Sequence, residues 1–395
     1  MSLSVGFVLA ALAVAAFAGP LLGEVVDVPG AVVELVLGVL LGLVVPASAM
    51  QAGTPVATLG ALGFLLLMFL VGAELDLADI WRTSRSAVLV GAGLFALALV
   101  VSALVMGHAA GASRLWVLGG AAVSIGVAAP VLHALGRGAK RTTRDLLVVG
   151  SVAEILYLGV LTALSVASHH TLSVATALLV ARAAALIAFA LVIVAALRRV
   201  RRRTPHHFHR WFRRDDPVEV GLRGTFALVF VVVAFTSLVQ IPTALGALLA
   251  GVLFRIVFGR ARGIVDRLAG VANAFFIPLF FLTVGLQTRL RHGLVALAPT
   301  IGLLLVVLAV PRLALIPYLR WRGATRREAT AGTLLLMAPL TVLITTAEIG
   351  TQAHLLGPRN ATAMVLAATL SALVFPAVAR RLLHEPEPAE AAPPE

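Results

Sequence analysis

Four ionisable side chains stand inside long apolar runs of this sequence: Glu34 in VVELVLGVLLG, Glu154 in LLVVGSVAEILYLGVL, Arg182 in LLVARAAALIAFAL and Arg312 in LLLVVLAVPRLALIPYL. A charge at the centre of such a run costs about 2.5 to 3.5 kcal/mol on membrane-insertion scales, so each needs a partner or a task. Glu154 has Ser151 one turn before it on the same helical face. A buried carboxylate holds a proton or a cation but not both, and that competition is the chemical core of an exchanger. Its alternative is a structural carboxylate paired with an arginine. Arg312, between Pro311 and Pro317, cannot give up its charge and reads as a charge partner, not a proton carrier. Glu34 is a secondary candidate, with a helix-packing hydrogen bond as its plainer explanation. Arg182 can snorkel to an interface, and Glu74, Asp76 and Glu348 end their runs as rim groups.

The backbone supplies a second kind of chemistry. One apolar run contains Ser124-Ile125-Gly126-Val127-Ala128-Ala129-Pro130, and a later one contains Met337-Ala338-Pro339-Leu340-Thr341. Pro130 and Pro339 each remove a backbone donor and free a carbonyl, which is tolerable at membrane depth only against protein or a wet cavity. Two such breaks meeting at the midplane would aim half-helix ends at a small ion. Two ordinary proline kinks are the alternative.

The elements that must position these groups follow from composition. Hydrophobic residues make up 60% of the 395, charged ones 12%, and the mean hydropathy is +1.04, which excludes an ordinary water-soluble domain. Apolar runs bounded by charge, Gly or Pro fall at 3–22, 28–46, 56–75, 86–106, 114–136, 145–167, 171–197, 218–240, 242–259, 264–287, 294–319, 327–349 and 358–379. These predict an all-α polytopic membrane protein with thirteen transmembrane helices, the breaks lying in the fifth and twelfth. The first run lacks a basic leader and an A-x-A-like end, and so reads as a true span. Of the 31 Lys and Arg, 25 fall in loops on the C-terminal side of this arrangement, and only Arg114, Arg289, Arg291 and Arg359 lie opposite. The positive-inside rule then places the C-terminus in the cytoplasm and the N-terminus outside. Lys140 is the only lysine, a bias read as that of a GC-rich bacterium, so a bacterial plasma membrane is expected.

The expected organisation is a first repeat over 1–170, a connecting helix over 171–197, a basic cytoplasmic loop over 198–217, a second, inverted repeat over 218–383 and a disordered acidic tail over 384–395. The basic loop, with eight Arg and three His, reads as a solvated segment beside anionic lipid and not as a nucleic-acid or metal site. The absence of cysteine excludes thiolate and Cys-based metal chemistry. No H-E-x-x-H or G-x-S-x-G motif occurs, and His108, His133 and His354 have no ligand spacing. Neither an enzyme, a cofactor nor a resident metal is expected.

The segments VPGAVVELVLGVLLG, LGFLLLMFLVGAELD, SIGVAAPVLHALG, ALGALLAGVLF and AFFIPLFFLTVGLQ, with the proline-broken twelfth run, together resemble the monovalent cation:proton antiporter-2 family of the sodium/hydrogen exchanger superfamily over residues 3 to 380. The resemblance implies exchange of Na⁺ or K⁺ for H⁺ by alternating access, two crossed broken helices, and a homodimer. It assigns the ion and proton site to Glu154 with Ser124 and Ser151 as hydroxyl ligands, and the cationic partner to Arg312. Pro130, Pro339 and Thr341 shape the breaks. Where the family carries a carboxamide or carboxylate before its acidic residue, this chain has Ala153, and where electrogenic members have a lysine it has Arg312. One titrating carboxylate implies one-for-one, electroneutral exchange. Proton-coupled transport of a small organic ion on the same fold is the alternative.

Overall fold

A computed structural model describes residues 5–26, 28–45, 53–74, 85–108, 113–125, 140–167, 172–203, 219–258, 262–288 and 294–384. Pro130, Asp76, His133, the greater part of the basic loop (204–217) and the acidic tail from 385 lie outside the described residues. Each of the thirteen apolar runs carries a helix. They are α1 (Val5–Val26), α2 (Gly30–Leu41), α3 (Pro55–Glu74), α4 (Arg85–Met106), α5 (Arg114–Gly120), α6 (Lys140–Ala167), α7 (Leu172–Arg203), α8 (Val220–Leu238) and α9 (Thr243–Phe258). α10 passes from Arg262–Val271 through a π-helical turn, Ala272–Phe276, into Ile277–Gln287. α11 comprises Leu294–Arg312 and Leu315–Trp321, α12 comprises α12a (Arg326–Leu335) and α12b (Leu340–Gln352), and α13 is Pro358–His384. No strand occurs among the described residues, and nine helical spans are long and apolar enough to cross a bilayer. The chain is a multi-pass membrane protein.

Several helices overrun their apolar limits, among them the last, which continues to His384 instead of 379. α6 begins at Lys140 instead of 145, and α7 continues to Arg203 instead of 197. Hydropathy marks only the buried stretch, whereas Arg and Lys are good helix formers and carry the helix onward past it.

Packing sorts the helices into two groups. α2 lies along α1 and α10, and α3 along α9 and α10, with α8 on α9; α4 packs on α6 and α11, and α13 packs on both halves of α12 and on α11. α7 touches α6 in one group and α9 in the other. Close crossings in the first group depend on glycine. A Cβ on Gly38 of α2 would overlap the Leu282 carbonyl of α10, and one on Gly285 the Leu35 carbonyl; Gly72 and Gly251 stand in the same relation across α3 and α9. Lipid supplies no hydrophobic drive between helices, so approach of this kind is what binds them.

In the second group the start of α12 is fixed by a capping box. Glu328 N–H donates to Thr325 Oγ1 (3.2 Å), and Thr325 N–H donates to Glu328 Oε2 (2.9 Å). Just before it, Arg322 Nε pairs with Asp145 Oδ2 of α6 at 2.8 Å. The hydrogen bond to Asp145 holds the Arg322 guanidinium above its usual range.

Overpacking a tight crossing costs about 1–3 kcal/mol. Gly38→Val is therefore expected to lower the thermal midpoint of the detergent-solubilised protein by several degrees, while Gly93→Ala, with open space around the new methyl, leaves it within a degree. Equal midpoints for Gly38→Val and wild type would show that the α2–α10 crossing is not held by this contact.

Candidate functional site

α5 starts at Ser113, whose Oγ accepts from Trp116 N–H at 3.1 Å, and ends after two turns at Gly120. Residues 122–125 then run non-helically through the protein interior, with Ala122 and Val123 fully buried and Ser124 at 1% exposure. α12a stops at Leu335 because Pro339 offers no N–H and its ring excludes continuation of the helix, and α12b resumes at Leu340 with Pro339 in the N-cap position. Each break frees carbonyls that have no water to turn to.

Arg312 answers this need. It is one of the largest fully buried side chains among the described residues, at 0% exposure. Its Nη2 donates to Ala122 O in the α5 break, its Nε to Leu336 O in the α12 break at 3.2 Å, and its Nη1 to Leu308 O one turn back on α11. The planar guanidinium fork reaches carbonyls in three directions at once, which an ammonium on a single atom does not match. The sequence suggested a charge partner for the carboxylate. In the structure the hydrogen bonds of Arg312 go to backbone carbonyls, because two interrupted helices leave carbonyls around it that carry partial negative charge.

Glu154 lies midway along α6 at 1% exposure. Its Oε1 accepts from Ser124 Oγ at 3.1 Å and its Oε2 from the backbone N–H of Ile125 at 3.1 Å. Ser124 Oγ also meets Thr341 Oγ1, at the start of α12b, at 2.9 Å. A hydroxyl has one proton. When Ser124 gives its proton to the carboxylate, Thr341 donates to Ser124, and a chain runs from one broken helix through the other to the acid. The two breaks thus meet at Ser124 and Thr341, and Glu154 closes the triangle.

Ser151 is buried one turn back on α6 but lies outside this hydrogen-bonded group. Ala153 is fully buried in the apolar core, so the neighbouring position adds no polar atom. Glu34 is 5% exposed and sits in the α1–α2 seam. Its side chain crosses Gly19 so closely that a Cβ there would stand 2.6 Å from Glu34 Cγ. It is not part of the cluster around Glu154. Arg182 bonds the side chain of Gln240. Partnership with another side chain, and not snorkelling alone, accounts for it.

Two polar features escaped the sequence reading. Tyr157, one turn after Glu154 and fully buried, meets Thr346 Oγ1 of α12b at 2.6 Å. Thr345 donates to Thr341 O at 2.7 Å and touches Met68 Sδ of α3 at 3.8 Å. Tyr157, three places after the carboxylate, and Thr345, four places after Thr341, share helical faces with predicted site residues, and that spacing was the available signal.

Helices interrupted inside the membrane, crossing beside a buried acidic side chain, define the architecture of a secondary transporter. The chain belongs to the sodium/hydrogen exchanger, transmembrane, family, which matches residues 10–385. Among its relatives, YjbQ of Bacillus subtilis is 25% identical over 92% of this chain and 60% of that protein. The Na(+)/H(+) antiporter NhaS5 of Synechocystis is 26% identical over 73% of this chain and 40% of that one. Cation/H(+) antiporter 17 of Arabidopsis thaliana is 28% identical over 71% and 36% respectively. The chain therefore spans less than two thirds of the length of these relatives. The sodium proton antiporter MjNhaP1 from Methanocaldococcus jannaschii shares its fold, with a TM-score of 0.59 at 15% identity, covering 95% of this chain and 98% of that one.

Removing the guanidinium strands two break carbonyls in the interior, each costing about 1–3 kcal/mol. Arg312→Ala is expected to reduce thermal stability strongly and Arg312→Lys by a smaller amount, since a lysine keeps the charge but serves fewer carbonyls. Melting of Arg312→Ala at the wild-type temperature would contradict the bridging role.

Proposed function

We propose that the protein exchanges a monovalent cation, Na⁺ or K⁺, for H⁺, with Glu154 as the shared binding group. The observation that carries this reading is the meeting of Ser124, Thr341 and Glu154 where both helices are broken. Charged Glu154 is held by Ser124 Oγ–H and Ile125 N–H. A cation arriving there takes a carboxylate oxygen, with hydroxyl oxygens of Ser124 and Thr341 as neutral ligands of the kind hard cations accept. A proton on Glu154 removes the charge that holds the cation, so the two ligands displace one another. Arg312 contributes a fixed positive charge and a fixed geometry without titrating. The oxygen-only ligand set and the family names of the relatives favour an inorganic cation over an organic ion.

Alternating access follows from the two packing groups. α4–α6 and α11–α13 carry the site, while α1–α3 and α8–α10 form the body against which they shift, and α7 bridges them. The Arg-rich loops face the cytoplasm in this reading, the protein resides in a bacterial plasma membrane, and the α1–α3, α8–α10 group provides the homodimer contact.

Glu154→Gln is expected to abolish cation-driven proton release from proteoliposomes while preserving the elution profile and melting temperature of the wild type. Wild-type exchange in Glu154→Gln would overturn the assignment. With Ala153 beside it, Glu154 is the one carboxylate of the cluster among the described residues, and in this reading exchange is one-for-one. The steady-state Na⁺ gradient of vesicles clamped at 0 and −100 mV should then coincide. Movement of one net charge per cycle would shift it about fiftyfold, since 100 mV acts on one charge with about 2.3 kcal/mol.

A further inference from the structure

A cavity of about 230 Å³ opens where the C-terminal ends of α10 and α12b meet the start of α13. Its polar lining is Gln287 and Thr288 from α10, Glu348 and Thr351 from α12b, and Thr362 from α13. It therefore sits on the seam between the two packing groups. Glu348 follows Thr341 by seven residues, two helical turns, which places both on one face of α12b about 10 Å apart along the axis. Thr345 stands between them on the same face.

The chemistry of the lining suits a cation. Thr288 Oγ–H donates to Val284 O at 2.8 Å and Thr351 Oγ–H to Ala347 O at 2.7 Å, so each hydroxyl has spent its proton on its own helix and has only acceptor lone pairs left. Glu348 Oε1 accepts from the neutral amide of Gln352 at 2.8 Å, which orients the carboxylate without cancelling its charge. Arg359, the neighbouring cation beside Pro358, directs its guanidinium to Ala296 O at 3.2 Å. The cavity has an apolar wall of Val284, Ile344, Ala361 and Val365, and its one carboxylate, flanked by the acceptor oxygens of Thr288 and Thr351, attracts a cation and repels an anion.

We propose that this cavity is a recruiting site at which Glu348 captures the monovalent cation, still partly hydrated, before it passes along the Thr345–Thr341 face to Glu154. The inference rests on the exchange reading and adds to it a second, entirely distinct carboxylate whose task is loading from one side of the membrane. By the distribution of arginines that side is the extracytoplasmic one. Capture of this kind acts on the concentration needed for half-saturation, not on the turnover of the loaded carrier.

The chain contains no cysteine, so Glu348→Cys introduces a single thiol that membrane-impermeant methanethiosulfonates reach from the cavity side. In proteoliposomes, Glu348→Gln and Glu348→Cys are expected to raise the half-saturating Na⁺ concentration at that side five- to tenfold, with the maximal rate changed less than twofold. Labelling the Glu348→Cys protein with the anionic sulfonatoethyl reagent should return half-saturation to within twofold of wild type. The cationic trimethylammonioethyl reagent should raise it further. Half-saturation that is unchanged in both variants, or that responds alike to the two reagents, would overturn the proposal, and so would a loss of maximal rate at constant half-saturation. The two readings separate cleanly: Glu154→Gln tests whether exchange occurs at that carboxylate, and the sign of the reagent effect tests recruitment in a protein that still exchanges.

Discussion

Interrupting a helix inside an apolar medium frees carbonyls that water cannot reach, and this protein does so twice in one place. Arg312 makes the arrangement tenable. Its guanidinium spans Ala122 O of one break and Leu336 O of the other while bonding Leu308 O of its own helix. The cost of desolvating an arginine is offset by carbonyl dipoles that would otherwise be stranded, so the cation and the breaks stabilise one another. Remove either, and the other has no reason to be buried.

Once the breaks are pinned, the polar groups that follow them fall into register. Ser124 leaves the α5 break toward Glu154, Thr341 begins α12b toward Ser124, and the N–H of Ile125, free because the chain there is not helical, reaches the second carboxylate oxygen. The carboxylate accepts from Ser124 Oγ–H and Ile125 N–H, hydrogen bonds that a competing ligand can replace. In the proposed reading, neutral donors from Ser124 and Ile125, with the guanidinium of Arg312 spent on the backbone, leave that acid exchangeable between a proton and a cation.

The surroundings serve the same end. Glycine crossings between α2 and α10 and between α3 and α9 make one group of helices a tightly apposed block, while α6, α12b and the buried Tyr157–Thr346 bond tie the site to the other. Among the described residues the two groups meet through α7, through α13 against α2 and through contacts such as Thr345 on Met68. In the proposed reading the two groups shift against each other along this boundary, and the cavity around Glu348 is lined from both sides of it.

The thirteen helices were legible in the sequence because a bilayer imposes one length and one polarity on every span, and local composition reports both. Pro339 announced its break, since proline acts on its own helix, and Glu154 and Arg312 announced themselves by the expense of charge at that depth. What each charge touches was not legible. That Arg312 bonds carbonyls of residues 122 and 336, that Glu154 meets Ser124 while Ser151 stands aside, and that Tyr157 and Thr346 pair across two helices depend on how segments separated by up to about 190 residues pack. Hydropathy and periodicity act within a helix, whereas these partnerships are set by the rotation and depth of one helix against another, which only the packed tertiary structure decides.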